Sequence, residues 1–158
     1  LEDDSLPDSL KTFCQNMGLS HEQLIVEVTE QDLISGYEKL VTIERLRING
    51  FGLALDDFGT GFTNLGDLCR LPFTEVKLDQ SFIFNVHQDA LSQIILKALC
   101  EIAAELKINI VAEGVETQQQ FDSLRLLGCD EIQGFYFSPA VSPEEFRQLL
   151  DRQALPLE

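Results

Sequence analysis

Basic side chains are scarce in this sequence: 11 Lys and Arg stand against 27 Asp and Glu, a formal net charge of −16. Such a chain repels bare nucleic acid and anionic membrane surfaces over a Debye length, so neither DNA nor direct membrane contact is expected. A polyanionic ligand would need metal ions as intermediaries. Cysteine is sparse too. Cys14, Cys69, Cys100 and Cys129 are spread singly, with no CxxC pair and no clustered histidine. That argues against a zinc site or a dense disulfide framework and fits a reducing, cytoplasmic setting. The two histidines, His21 and His87, lie apart from every acidic cluster and receive no role. No apolar run approaches the roughly 20 residues of a membrane span. The acidic, polar start does not read as a signal peptide. Neither an internal repeat nor a low-complexity linker divides the 158 residues, which read as a single domain. The chain does not begin with Met and reads as a piece of something longer.

What is present is a regular alternation of short apolar runs and helical stretches. Residues 6–17 pattern as a helix with Asp8 as its cap and Gly18 as its stop. Strands are expected at 24–28, 51–55, 75–78, 108–112 and 130–133. Between them, 31–48 reads as one amphipathic helix with Leu33, Tyr37, Leu40, Val41 and Ile48 apolar. A glycine-rich turn over 56–62 leads into a short helical piece ending near Cys69. Residues 90–107 carry the longest helical pattern, with Leu91, Ile94, Ile95, Ala98, Leu99, Ile102, Ala103 and Leu106 at three- and four-residue spacing. Thr117 and Gln120 have capping-box spacing ahead of a helix that Gly128 ends. Ser142, Pro143, Glu144 and Glu145 open a terminal helix. Strands separated by crossovers pair in parallel, so the class is an α/β layer fold. Five strands are too few for a complete eight-stranded barrel.

Four strands end on charge: Glu27, Asp56-Asp57, Lys77 with Asp79, and Glu113. Parallel α/β folds place their ligand sites at these carboxyl ends, and this set points to cations. Two readings of Asp56-Asp57 stand, an adjacent carboxylate pair that holds metal or a solvated turn feeding Gly59 and Gly61. A metal pair about 4 Å apart clamps both the attacking and leaving oxygens of a phosphoryl displacement. Glu27 and Glu113 are either further ligands or acids favoured at helix starts. Hard oxygen ligands in this number suit Mg²⁺ or Mn²⁺. Lys77 alternates with Val76 and Leu78, so it is a buried cation needing carboxylates or phosphate, or an exposed edge lysine. Gln133-Gly134 either presents an amide to a ligand or forms a surface turn.

Taken in order, Val26-Glu27-Val28-Thr29-Glu30, Asp56-Asp57-Phe58-Gly59-Thr60-Gly61, Val76-Lys77-Leu78-Asp79, Glu113-Gly114-Val115-Glu116-Thr117 and Gln133-Gly134-Phe135 resemble the EAL domain of bacterial cyclic di-GMP signalling. The match runs from about residue 6 to the C-terminus. The resemblance implies a modified (β/α)8 TIM-like barrel that uses two divalent cations, Mg²⁺ or Mn²⁺, to hydrolyse cyclic di-GMP to linear 5′-pGpG. It implies that Glu27, Asp56, Asp57 and Glu113 bind metal and that Lys77 positions the water nucleophile. Glu113 would also serve near the general-base role, Glu30 would anchor the loop 57–62, and Glu116 would support the site. Asp79 and Gln133 would contact substrate. Family members begin with Glu-x-Leu-x-Arg and take a ligand Asn from a second strand, and neither precedes Glu27. Glu44-Arg45-Leu46-Arg47 has the wrong spacing and lies on a helix.

The chain is therefore expected to be a single partial EAL domain over 1–158, lacking its first strands, with weak or no catalysis alone. The resemblance further implies a homodimer and a sensor, receiver or diguanylate cyclase module in the parent protein. A non-catalytic cyclic di-GMP receptor or interaction module with a degenerate site is the alternative.

Overall fold

A computed structural model of the chain describes residues 3–33, 37–59 and 65–152. In chain order the elements are α1 (Leu6–Met17), a short 3₁₀ turn (His21–Gln23), β1 (Ile25–Thr29), α2 (Glu30–Leu33), α3 (Tyr37–Ile48), β2 (Gly52–Phe58) and α4 (Leu65–Leu68). They continue as β3 (Glu75–Leu78), α5 (Gln80–Ile83), α6 (Ala90–Leu106), β4 (Asn109–Ala112), α7 (Gln118–Leu127), β5 (Glu131–Ile132) and α8 (Pro143–Arg152).

The five strands form one parallel sheet in the order β1-β2-β3-β4-β5. Every strand therefore pairs with its sequence neighbour, which brings all five carboxyl ends to one rim. Alternation then sorts the side chains. Val28, Leu53, Leu55, Val76, Leu78, Ile110 and Ala112 are buried under the helices together with Ile43, Leu46, Leu96, Leu99 and Leu124. The opposite face carries Glu27, Ala54, Asp56, Glu75, Lys77, Asn109, Val111 and Glu113. Burying one leucine-sized side chain contributes about 1.5–3 kcal/mol, so the helix-covered face fixes which way each strand points.

Several expectations change. Ser5 occupies the cap position of α1 and Asp8 lies in its first turn, because Pro7 starts the helix earlier. The single helix expected over 31–48 is described as two pieces, α2 and α3, and residues 34–36 lie outside the described residues. Helix α3 buries Ile43 and Leu46 while Val41 and Ile48 are exposed. In α6 the buried stripe is Leu96, Leu99, Cys100 and Ala103, whereas Leu91, Ile94 and Ile95 face outward. Opposite the stripe of Gln93, Lys97, Glu101 and Glu105 the apolar arc of this helix is wider than its core face, so spacing alone does not select which apolar residues are buried. The Thr117 cap and its box with Gln120 form as expected, with Gly128 ending α7 at φ 89°.

The largest change concerns Asp56 and Asp57. The second strand runs to Phe58, beyond the Leu55 at which the sequence reading ended it, so both aspartates belong to the strand. Its pairing with β3 shifts from Leu55↔Val76 to Phe58↔Leu78, three residues of β2 against two of β3. The extra residue is a β-bulge, and Asp57 adopts φ 56°, a left-handed conformation that Asp tolerates better than most side chains. The expected loop 57–62 is described only as far as Gly59.

Candidate active site

Lys77 stands in β3 between strands β2 and β4, on the face opposite the helix-covered core. It is 8% exposed. Its Nζ lies 2.8 Å from Glu27 Oε1, 2.8 Å from Glu113 Oε1 and 3.4 Å from Asp56 Oδ1. The edge-lysine reading is thereby set aside, since β3 is the central strand of the sheet. Burial pulls the pKa of this ammonium down. The hydrogen bonds with Glu113 and Glu27, and the attraction of Glu113 and Asp56, outweigh burial and leave the pKa above its ordinary value. Lys77 is a fixed cation at neutral pH.

Asp56 differs from its neighbours. Its Oδ1 is buried, and although Lys77 is within ion-pair distance, the oxygen has no hydrogen-bond partner. A buried carboxylate oxygen without a hydrogen bond is costly, and the Lys77 ammonium at 3.4 Å is the cation beside it. Among the described residues no three Asp, Glu, His or Cys side chains meet at one metal-sized point, since the carboxylates converge on the Lys77 ammonium instead. The donor set is all oxygen, and with the open Asp56 Oδ1 it fits a hard divalent ion shared with Lys77.

The other expected residues surround this cluster without joining it. Asp57 is exposed and directed by the bulge. Glu30 is 1% exposed, and its Oε1 accepts a hydrogen bond from the Gly59 N–H at 3.1 Å, tying the start of α2 to the end of β2. Asp79 caps α5 by accepting from the Ser81 N–H at 2.9 Å, and hydrogen bonding with the Ser81 side chain and then its backbone holds its carboxyl below the usual range. It also lines a groove of about 790 Å³ with Gln80, Gly114 and Glu116. Glu116 and Gln133 are exposed. The Gln133 backbone is fixed between β4 and the next turn, donating to Ala112 O at 2.8 Å and accepting from Val115 N at 3.1 Å.

The sequence reading places Gly59 in a glycine turn without signalling its contact with Phe82, and it gives Glu75 no part in the site. Gly59, at φ 103°, abuts Phe82 of α5 so closely that an added Cβ would lie 1.8 Å from the ring, so the bulged strand end and α5 are in direct contact. Glu75, 8% exposed, shares the face of Lys77 one step earlier on β3. Burial and the nearby Glu131 raise its pKa, and Lys77 only partly compensates.

Over residues 1–140 the chain matches the model of the EAL domain. That span begins before and ends short of the one read from the motifs. NbdA of Pseudomonas aeruginosa, a cyclic di-GMP phosphodiesterase, is 38% identical over 156 residues, 96% of this chain and 20% of NbdA. MucR of the same organism, a bifunctional diguanylate cyclase/cyclic di-GMP phosphodiesterase, is 38% identical over 141 residues, 89% of this chain and 21% of MucR. The solved cyclic di-GMP complex of the PaMucR phosphodiesterase superimposes with a TM-score of 0.80 at 37% identity, covering 90% of this chain and 58% of that one. A manganese/cyclic di-GMP complex of Klebsiella pneumoniae BlrP1 superimposes with a TM-score of 0.75 at 34% identity, covering 85% of this chain and 33% of BlrP1. The chain thus spans about a fifth of the length of these curated relatives. With a parallel α/β sheet that forms part of an EAL-type barrel, the chain belongs to the EAL domain family.

Proposed function

We propose that this chain is part of a divalent-metal-dependent phosphodiesterase that hydrolyses cyclic di-GMP to linear 5′-pGpG. The observation that carries the reading is the buried Lys77 ammonium held among Glu27, Asp56 and Glu113 at the strand ends, with Asp56 Oδ1 buried and without a hydrogen-bond partner. The names of NbdA and MucR support the reaction class. The BlrP1 complex supports a divalent ion, and Mg²⁺ or Mn²⁺ suits the oxygen donors.

In this reading Glu27, Asp56, Asp57 and Glu113 hold two cations. When bound, the ions neutralise the phosphodiester and lower the pKa of water. Lys77 orients the attacking water and steadies charge that develops on the phosphoryl oxygens. Glu113, hydrogen-bonded to Lys77, would take up a proton as water attacks phosphorus, while the bond from phosphorus to the ribose 3′ oxygen breaks and that oxygen leaves with a proton from solvent water. Glu30 keeps the Asp57 backbone in place through Gly59, and Glu116 supports the rim. Asp79 and Gln133 line the approach of the nucleotide. Residues 1–158 form one partial EAL domain, cytoplasmic and homodimeric, whose activity a further regulatory module in the parent controls. Without the remainder of the barrel, hydrolysis is weak.

The test is incubation of the full-length protein with cyclic di-GMP and Mn²⁺ or Mg²⁺, with pGpG quantified by chromatography. Product that requires the divalent ion and disappears in Lys77→Met is expected. Metal-independent binding that leaves the nucleotide intact would replace this reading with that of a receptor.

A further inference from the structure

Cys100 lies on α6 and Cys129 in the turn between α7 and β5, yet their Sγ atoms are 3.8 Å apart. Both are free thiols. The backbone holds them together. Gly128 ends α7 in the left-handed region, Cys129 N–H donates to Leu124 O at 3.2 Å, and Asp130 N–H donates to Ile110 O at 3.2 Å. Asp130 Oδ2 in turn accepts from Ile110 N–H at 2.8 Å, so the turn is tied to β4 on both sides of its peptide. Cys100 is 7% exposed among Leu96, Leu99 and Ala103, while Cys129 is partly exposed and opens the pair to a small reagent.

We propose that Cys100 and Cys129 are a redox modification site, forming a reversible intrachain disulfide when a hydroperoxide reaches the protein. The hydrogen bond between the two sulfurs holds the Cys100 thiol below its usual range and, with burial, pushes Cys129 up. In the proposal Cys100 is the attacking sulfur and Cys129, 3.8 Å away, resolves it. Its thiolate attacks one oxygen of the hydroperoxide and the O–O bond breaks. The leaving alkoxide takes a proton to become the alcohol, or water when the oxidant is hydrogen peroxide, and Cys100 becomes a sulfenic acid. The Cys129 sulfur then attacks the Cys100 sulfur, the S–O bond breaks, and hydroxide leaves with the Cys129 proton as water. The two thiols lose two electrons and two protons, and the hydroperoxide accepts them.

The cross-link closes a loop from α6 to the entry of β5, a two-residue strand paired with Val111 and Ala112 of β4. Closing a loop restricts the unfolded chain, so the oxidised form should melt at a higher temperature. It also fastens the strand that leads to Gln133.

The experiment treats the full-length protein with hydrogen peroxide or with a phosphine reductant, then alkylates and maps the peptides without reduction. Exposed Cys69 reports that reagents reach the protein. The expected result is one linked peptide pair containing Cys100 and Cys129, a mass lower by two hydrogen atoms, reversal by dithiothreitol and a raised Tm. Cys69→Ser retains the link, whereas Cys100→Ser and Cys129→Ser each lose it. Mapping of the unaltered sequence stands without any variant having to fold. The proposal is overturned if both thiols remain alkylatable under peroxide that modifies Cys69, if the link involves Cys69, or if either sulfur stops at a sulfinic acid.

Discussion

Lys77→Met removes the ammonium at the centre of the carboxylate cluster while keeping a long apolar stem. In the parent the charge is 8% exposed and has Glu27 and Glu113 oxygens at 2.8 Å and an Asp56 oxygen at 3.4 Å. Stripping one partner from a buried ion pair costs about 3–5 kcal/mol, because the remaining charge is left uncompensated. Glu27 is 52% exposed at its side chain and regains water, which places the loss at the lower end. The methionine tip, no longer desolvating a charge, returns about 1 kcal/mol of apolar burial. The net expectation is a destabilisation of about 2 kcal/mol in EDTA, a fall of roughly 4–8 °C in the domain's Tm. The pKa of Lys77 is raised on folding, so its contribution is fully present below the unfolded lysine value of about 10.4 and is lost as pH rises through the folded value. The gap between parent and variant should therefore be level from neutral pH to about 10. With the ammonium gone, the carboxylates need another counter-charge, so Mn²⁺ should raise the Tm of Lys77→Met more than that of the parent. Hydrolysis of cyclic di-GMP should fall at least about 10²-fold. Calorimetric melts in EDTA and in Mn²⁺ decide the matter. A variant that melts at or above the parent in EDTA would refute the view of Lys77 as the structural counter-ion of the rim.

Three further perturbations read other parts of the rim. Glu30→Ala deletes the acceptor of the Gly59 N–H and should cost about 2 kcal/mol, with Glu30→Gln recovering most of it; equal urea midpoints for parent and Glu30→Ala would contradict this. An added Cβ at Gly134 would lie 2.1 Å from Val115 O and 2.3 Å from Val115 N. Gly134→Ala should accordingly lower stability by about 1–3 kcal/mol and raise amide exchange at Val115, whose N–H donates to Gln133 O. Glu75 has a folded pKa raised by burial and Glu131, so the stability tied to it is full below the unfolded value of about 4.3 and lost as pH rises. Glu75→Gln should therefore raise the Tm at neutral pH, and the gain should vanish in melts below about pH 4.

The elements themselves were legible because their signals are local. The Thr117–Gln120 box and the Gly128 stop are set within a few residues, and they appear as read. Where the local signal was weak, the reading failed for the same reason. Helix α6 offers an apolar arc wider than its core face, and only its neighbours decide that Leu96, Leu99, Cys100 and Ala103 within it face inward. Asp56 and Asp57 read as a turn because Gly59 and Gly61 follow, yet pairing with β3 extends the strand through them. Of the candidate site, Glu27, Asp56, Lys77 and Glu113 come together, Asp79 turns to cap α5, and Glu116 and Gln133 remain at the exposed rim.

By itself the sequence determined the alternation of strands and helices, the charge at the strand ends and the ordered motifs of an EAL domain, since each depends on neighbours along the chain. Only the tertiary structure decided that Lys77 sits among three carboxylates rather than at an edge, that a bulge aims Asp57, and that Cys100 and Cys129 face each other. Those relations are set by the register between strands and by helix packing across the sheet, which link residues too far apart in sequence for any local pattern to specify.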